Sequence, residues 1–281
     1  MLGSDEKQTF RCGCVNSDFV PEHSRSVWTM LSNNAEEYLQ GTLKLTASVK
    51  QHTQQEPVDS VVMVLKERPL ETAALTKLRE AGAKICEVPR IPPHDEEATF
   101  WRFRDQFTKF HIFGMTCYRG IMYLDSDCLA VGPLGDVLSD KFEEKMRNEG
   151  ARLAAAEDIS AGKWMGTFNM GVFYTVPDTE EHVKLMDKFY SREVEFRVDT
   201  AEQGFLNVLY KNNITWLDFK FNANLAAFSQ KREFWDSRAA DLRVIHYTMV
   251  KPWACTEEYK EVCRLWDDAP PTDIRMKVVP G

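Results

Sequence analysis

The sequence predicts a single α/β domain built on a mixed, mainly parallel sheet. Three observations carry that expectation. Over residues 26–88, apolar runs alternate with segments of helical periodicity, the β-α-β-α-β rhythm of a sheet with helices on its faces. The runs are short and continuously apolar, Ser60–Leu65 (SVVMVL) most clearly, as strands covered on both sides should be. Hydrophobic residues make up 43% and charged residues 28% of the 281, which excludes a disordered, collagenous or coiled-coil architecture.

The elements follow in order. Residues 1–25 are polar and aperiodic and read as a loose arm ahead of a domain at 26–266, with a short tail at 267–281. Ser26–Leu31 is the first strand. In Glu36–Gln51, Tyr38, Thr42, Leu45 and Val49 recur at helical spacing. Ser60–Leu65 is the second strand, Glu71–Ala81 a helix that Gly82 can end, and Lys84–Val88 the third strand. A loop with Pro89, Pro92 and Pro93 leads through the acidic Asp95–Glu97, read as solvated surface, to a helix over Thr99–Tyr118. Gly120–Leu124 is an apolar strand that ends in Asp125. Further strands are expected at 152–156, 169–176, 214–217 and 243–247, with helices at 179–192, 202–211 and 256–266.

Charge and cysteine content narrow the function. Thirty-five basic against 43 acidic residues give a net charge of −8. With no local basic patch, the chain is not expected to coat nucleic acid or an anionic membrane. No apolar run approaches the length of a membrane span, and residues 1–10 lack the apolar stretch of a signal peptide. The seven cysteines include no C-x-x-C pair. They read as buried or incidental free thiols in a reducing compartment, the cytoplasm.

The sharpest local feature is Asp125-Ser126-Asp127 after an apolar strand. Residues two apart in an extended chain share a face, so two carboxylates there can share a hard divalent cation such as Mn²⁺ or Mg²⁺. Strand carboxyl ends are also where open α/β sheets bind ligands. Three further motifs accompany it: Phe168-Asn169-Met170-Gly171, Asp199 to Gly204 (DTAEQG), and His246 to Trp253 (HYTMVKPW). A D-x-D after an apolar strand also occurs in haloacid-dehalogenase phosphatases. In those enzymes it lies near the chain start, with Thr or Val two residues on, where this chain has Leu129.

Together these motifs resemble glycosyltransferase family 8, and within it the glycogenin-like branch, over about Val27 to Trp253. The family patterns are D-x-D, F-N-S-G, D-x-x-D-Q-G and H-[FY]-x-G-x-K-P-W. The resemblance implies a GT-A, Rossmann-like fold, a UDP-sugar donor, Mn²⁺ with Mg²⁺ as the alternative, and retention of anomeric configuration. Asp125, Asp127 and His246 would then hold the metal. Leu31, Ser32, Asn33 and Tyr38 would form the uridine pocket, and Arg102, Lys109, Ser126 and Lys251 would reach the donor. Asn169, Asp199 and Gln203 would contact its hexose, Met170 would belong to the donor site, and Glu202, Gln203 and Asp199 would serve catalysis. Met170, Glu202 and Met249 stand where the family has Ser, Asp and Gly. The stretch matching the glycogenin acceptor tyrosines is Ser229-Gln230-Lys231, without a tyrosine. The expected reaction is therefore transfer in trans of a hexose, galactose ahead of glucose, to a glycoprotein or glycan. The likeness extends to enzymes that add α-galactose to a cytoplasmic protein-linked glycan, and it implies a homodimer.

Overall fold

The computed structural model describes residues 12–269. Strand β1 (Arg25–Leu31) passes through helix α1 (Glu36–His52) into β2 (Asp59–Leu65), and α2 (Thr72–Glu80) leads to β3 (Ala83–Val88). The three strands pair in parallel, Val27 opposite Ser60 and Met63 opposite Cys86. Trp28 and Met30 of β1 join one core cluster, while Val27 and Leu31 join clusters on the other face. Both faces are covered, which is why these strands read as continuous apolar runs.

β4 (Gly120–Leu124) lies parallel to β1 and is buried throughout. β5 (Cys128–Ala130) and α3 (Asp140–Asn148) precede a long hairpin of β6 (Leu153–Ser160) and β7 (Lys163–Thr175). Next come α4 (Thr179–Tyr190), α5 (Ala201–Leu209) and β8 (Ile214–Trp216). The main sheet has the order β3-β2-β1-β4-β7-β6-β8, and β7 alone runs against its neighbours. The sheet is therefore mixed and mainly parallel, as expected. β9 (Ala223–Asn224), α6 (Leu225–Gln230), α7 (Arg232–Arg238), β10 (Val244–His246) and α8 (Lys260–Asp267) complete the described chain. A second sheet, β5-β10-β9, begins three residues beyond the end of β4 and carries His246 to that edge.

Four readings of the sequence are corrected. Thr99–Tyr118 is no α-helix: it forms two 3₁₀ helices, Trp101–Phe103 and Gln106–Gly114. Three residues per turn put Phe107, Phe110 and Phe113 on one side, and all three are buried in the main core. The strand expected from Asn169 begins at Lys163, because the hairpin runs past the core with exposed residues at 163–167. Residues 12–24 are no loose arm. Val15 N donates to Glu87 O (2.8 Å), and Asn16 bonds the main chain of Ile85 and Glu87. The rest of the expected arm and tail, 1–11 and 270–281, lies outside the described residues.

The fourth correction concerns the cysteines. Cys12–Cys117, Cys14–Cys86 and Cys255–Cys263 are disulfides, and among the described residues Cys128 alone is free, and buried. Two of the pairs are 105 and 72 residues apart, so only the folded sheet brings the partners together and no spacing code announces them. Such bridges belong to oxidising environments, and the reducing compartment read from free thiols loses its basis. No helix among the described residues is long and apolar enough to cross a membrane.

Candidate functional site

Two cavities, of about 600 Å³ and about 350 Å³, meet at the carboxyl end of β4 and share Asp125, Asp127 and Lys251 in their walls. The chain turns sharply there, and both sides of the turn are clamped. Asp125 N donates to Gly171 O (2.7 Å), Cys128 N to Asp125 O (2.9 Å) and Tyr247 N to Asp127 O (3.0 Å). The antiparallel β7 and the second sheet thus fix the two aspartates from opposite sides.

His246 Nε2 lies 3.5 Å from Asp127 Oδ1 and 4.0 Å from Asp125 Oδ2, so the three predicted ligands converge. A side chain at position 171 would prevent this, since its Cβ would fall 2.0 Å from His246 Cε1 and 2.9 Å from Asp125 Oδ2. Burial lowers the His246 pKa against the pull of both aspartates, which keeps an imidazole lone pair available. Burial would raise the Asp127 carboxyl, but the Lys251 ammonium and His246 outweigh it and hold it below the usual range. Two hard carboxylates and one imidazole suit Mn²⁺, and Mg²⁺ less well. Cys128 lies close to Asp127 and His246. Burial pushes its thiol pKa well up, so the thiol stays protonated in the metal-free protein.

The larger cavity is walled by Leu31, Ser32, Asn33, Tyr38, Arg102 and Ser126, all expected there. The Tyr38 ring meets Trp253 edge-on at 5.0 Å. Phe100, Trp101 and Phe103 form its mouth and are exposed, Trp101 by 64%, and the Arg102 guanidinium sits 4.9 Å over the Trp101 ring.

The smaller cavity is walled by Lys109, Asn169, Asp199, Glu202, Gln203 and His246. Lys109 Nζ is buried between Asp125 Oδ1 (3.0 Å) and Glu202 Oε1 (2.9 Å) and lies 4.8 Å over the Tyr123 ring. Burial raises the Glu202 pKa against the pull of Lys109. Glu202 is 5% exposed, so it is no solvated helix-start acid. Ala201 delivers it from φ 47°, ψ −134°, a conformation that costs a residue with a side chain on the order of 1–3 kcal/mol. Asp199 stands on the rim, paired with Arg197 in solvent (2.6 Å).

Met170 departs from expectation. Its side chain is buried in the core and lines neither cavity. Only its main chain serves the site: its N–H donates to Gln203 Oε1 (3.1 Å), and its carbonyl accepts from Lys109 Nζ (3.3 Å). The exchange of Ser for Met therefore leaves the cavity wall unchanged, because a strand turns alternate side chains away. Met249, in contrast, is exposed and lines both cavities.

The sequence reading missed Asp158, Asn222 and Asn224. Asp158 accepts from Gln203 Nε2 (2.9 Å), Asn224 Nδ2 (3.3 Å) and Asn169 Nδ2 (3.4 Å), and so ties the smaller cavity together. Thr248 Oγ1 donates to Asn224 Oδ1 (2.6 Å). Asp158 had a signal, since it follows an apolar run (LAAAED) as Asp125 does.

Known proteins resemble the chain in sequence and in fold. Human glycogenin-1 is 26% identical over 242 residues, covering 83% of this chain and 63% of the relative. Glycogenin-1 of Caenorhabditis elegans is 30% identical over 156 residues, covering 52% of this chain and 32% of the relative. The chain thus spans from 32% to 63% of the length of the curated relatives named here. Among solved structures, galactosyltransferase LgtC in complex with donor and acceptor sugar analogues superposes with a TM-score of 0.56 at 17% identity, covering 87% of this chain and 97% of LgtC. The bifunctional glycosyltransferase WbbM superposes with a TM-score of 0.63 at 14% identity, covering 92% and 52%. At such identities the likeness is one of fold, the GT-A fold. The family description "Glycosyl transferase family 8" matches residues 30–257, most of the described structure, and the chain belongs to that family.

Proposed function

We propose that this glycosyltransferase is a retaining, metal-dependent UDP-hexose transferase that forms an α-linkage in trans. One observation carries the reading: the carboxylate pair and His246 stand where the two cavities meet. A nucleotide in the larger cavity would thus have its diphosphate at the ligands and its hexose in the smaller one. LgtC, named a galactosyltransferase, favours galactose over glucose as the hexose.

Asp125, Asp127 and His246 would hold Mn²⁺, with Mg²⁺ as the alternative. When bound, the ion would neutralise charge on the departing diphosphate. Lys251, now on Asp127, supplies a second positive charge at that point. Asn169 and Gln203 offer hydrogen-bond donors toward a hexose, Asp158 braces the two amides, and Lys109 holds Asp125 and Glu202 in place. Glu202, desolvated and paired with Lys109, faces the cavity where positive charge develops on the sugar and stabilises it there.

The acceptor is another molecule. Ser229-Gln230-Lys231 closes α6 with the Ser229 hydroxyl bonded back to Leu225 O (3.4 Å) and Lys231 Nζ 5.8 Å over the Trp164 ring, and it offers no phenol. A glycan on a protein fits a transferase without an acceptor of its own. The three disulfides favour a glycan of an oxidising compartment over the cytoplasmic one implied by the sequence.

A screen of UDP-Gal, UDP-Glc, UDP-GlcNAc, UDP-Xyl and UDP-GlcA tests the reading through release of free UDP, with and without EDTA. Mn²⁺-dependent hydrolysis of one UDP-hexose without change in the intact protein mass is the expected result. A ladder of hexose on the protein would instead assign self-glycosylation. UDP binding without hydrolysis of any donor would assign a binding protein, the reading that Met249 in both cavity walls favours.

A further inference from the structure

We infer that Asn222 is a positioning residue that fixes the ring of His246 in the tautomer with hydrogen on Nδ1 and a bare Nε2 toward the aspartates. The inference rests on the proposed metal role of His246, and it follows from hydrogen-bond polarity alone.

The chain of polarity starts at a group whose direction is beyond choice. Gly171 N–H can only donate, and it points at the Asn169 side chain (3.0 Å), so the atom facing it is the oxygen. The other end of the same amide faces the Asp158 carboxylate (3.4 Å), which requires the nitrogen there. The Asn169 oxygen also faces the Asn222 side chain (3.0 Å), so Asn222 must present its nitrogen to it. The Asn222 oxygen is then left facing His246 Nδ1 (3.0 Å). An amide oxygen only accepts, so Nδ1 carries the hydrogen and Nε2 keeps its lone pair.

That lone pair lies 3.5 Å from Asp127 and 4.0 Å from Asp125. Without the relay, the better bond in the metal-free protein would be Nε2–H to the Asp127 carboxylate, which would block the ring as a ligand. Asn222 and His246 are both buried, 2% and 4% exposed, so water does not stand in for the amide oxygen. Asn222 itself is pinned by its main chain, its N–H on Phe219 O (2.9 Å) and its carbonyl on Asn224 N (2.8 Å). The separation of 24 positions between Asn222 and His246 hid the pair from any reading by spacing.

The test is nitrogen NMR of ¹⁵N-histidine-labelled, metal-free full chain at pH 8, above the ordinary imidazole pKa of about 6.5, with His246→Gln assigning the resonance. The expected wild-type signature is protonated Nδ1 and bare Nε2. In Asn222→Leu the tautomer should reverse, and Mn²⁺ affinity read by electron paramagnetic resonance should fall by roughly 10–100-fold. Asn222→Asp keeps an acceptor at Nδ1 while facing Asn169 with the wrong polarity. It should melt lower than wild type yet keep the tautomer and hold Mn²⁺ within a few-fold. A wild-type ring with hydrogen on Nε2 would overturn the inference, as would an Asp variant that loses tautomer and affinity alongside Leu. If wild type binds no Mn²⁺, the proposed metal role fails, and the spectrum of the metal-free protein still decides the tautomer.

Discussion

The two halves of the cleft are built on different principles. The larger cavity is bounded by the end of β1, by the segment Thr248–Lys251 after β10 and by exposed aromatic residues at its mouth, with Trp101 more than half in solvent. The smaller cavity is bounded by side chains that already have partners: Lys109 with Asp125 and Glu202, Gln203 with Asp158, His246 with Asn222. Aromatic surface adapts to a flat ring at little cost, whereas fixed dipoles and charges need no reorganisation while charge moves. On the proposed function, the difference gives ground-state binding to the first half and transition-state stabilisation to the second. Substitutions in the two halves should therefore part KM from kcat.

The ligand pair belongs to both halves, and its loss should be the largest effect. Asp127→Ala should lower hexose release from the donor by a factor on the order of 10³, since diphosphate charge goes uncompensated. It should also weaken joint UDP–Mn²⁺ binding in calorimetry, and full activity in EDTA would end the metal role. Glu202→Gln comes next, with kcat down on the order of 10² and UDP–Mn²⁺ affinity within a few-fold. Unchanged hydrolysis would reduce Glu202 to a buried partner of Lys109 and blur the division between the halves.

Acidity should act on the shared ligands in a known direction. Burial lowers the His246 pKa and Lys251 holds Asp127 low, so both groups remain deprotonated until the pH falls below their ordinary values. Mn²⁺ affinity should hold level down through about pH 6.5, the ordinary imidazole value, and decline only below it. A decline already complete at neutral pH would contradict the burial of the ring. The smallest effect is expected at the cavity mouth. Trp101→Ala should raise the donor KM about 3–10-fold through lost aromatic contact, with kcat preserved. A fall in kcat there would show that the larger half also shapes the transition state.

The sequence disclosed what is local and what is repeated. β1, β2 and β3 are covered on both faces, so their runs stand out, and the D-x-D turn sits within three residues of a buried strand. Asn222, Asp158 and two of the three disulfides escaped because each acts on a residue that only the fold brings near. Met170 was misassigned for a strand reason: its neighbours Asn169 and Gly171 face the site while its side chain turns to the core. The Thr99–Tyr118 segment misled because its three phenylalanines at threefold spacing fit a tighter helix than the one expected.

Ala201 bears on how far this protein could be improved. Its backbone sits at φ 47° in the first turn of α5, immediately before Glu202. Glycine adopts such angles without strain, so the position is an obvious target for anyone seeking a more heat-resistant enzyme. The methyl group is buried, however, at 1% exposed, and a glycine would free the turn that aims the carboxylate. Stability and rate are thus set against each other at one residue, and directed evolution for thermal endurance should recover glycine at 201 only when selection for turnover is relaxed.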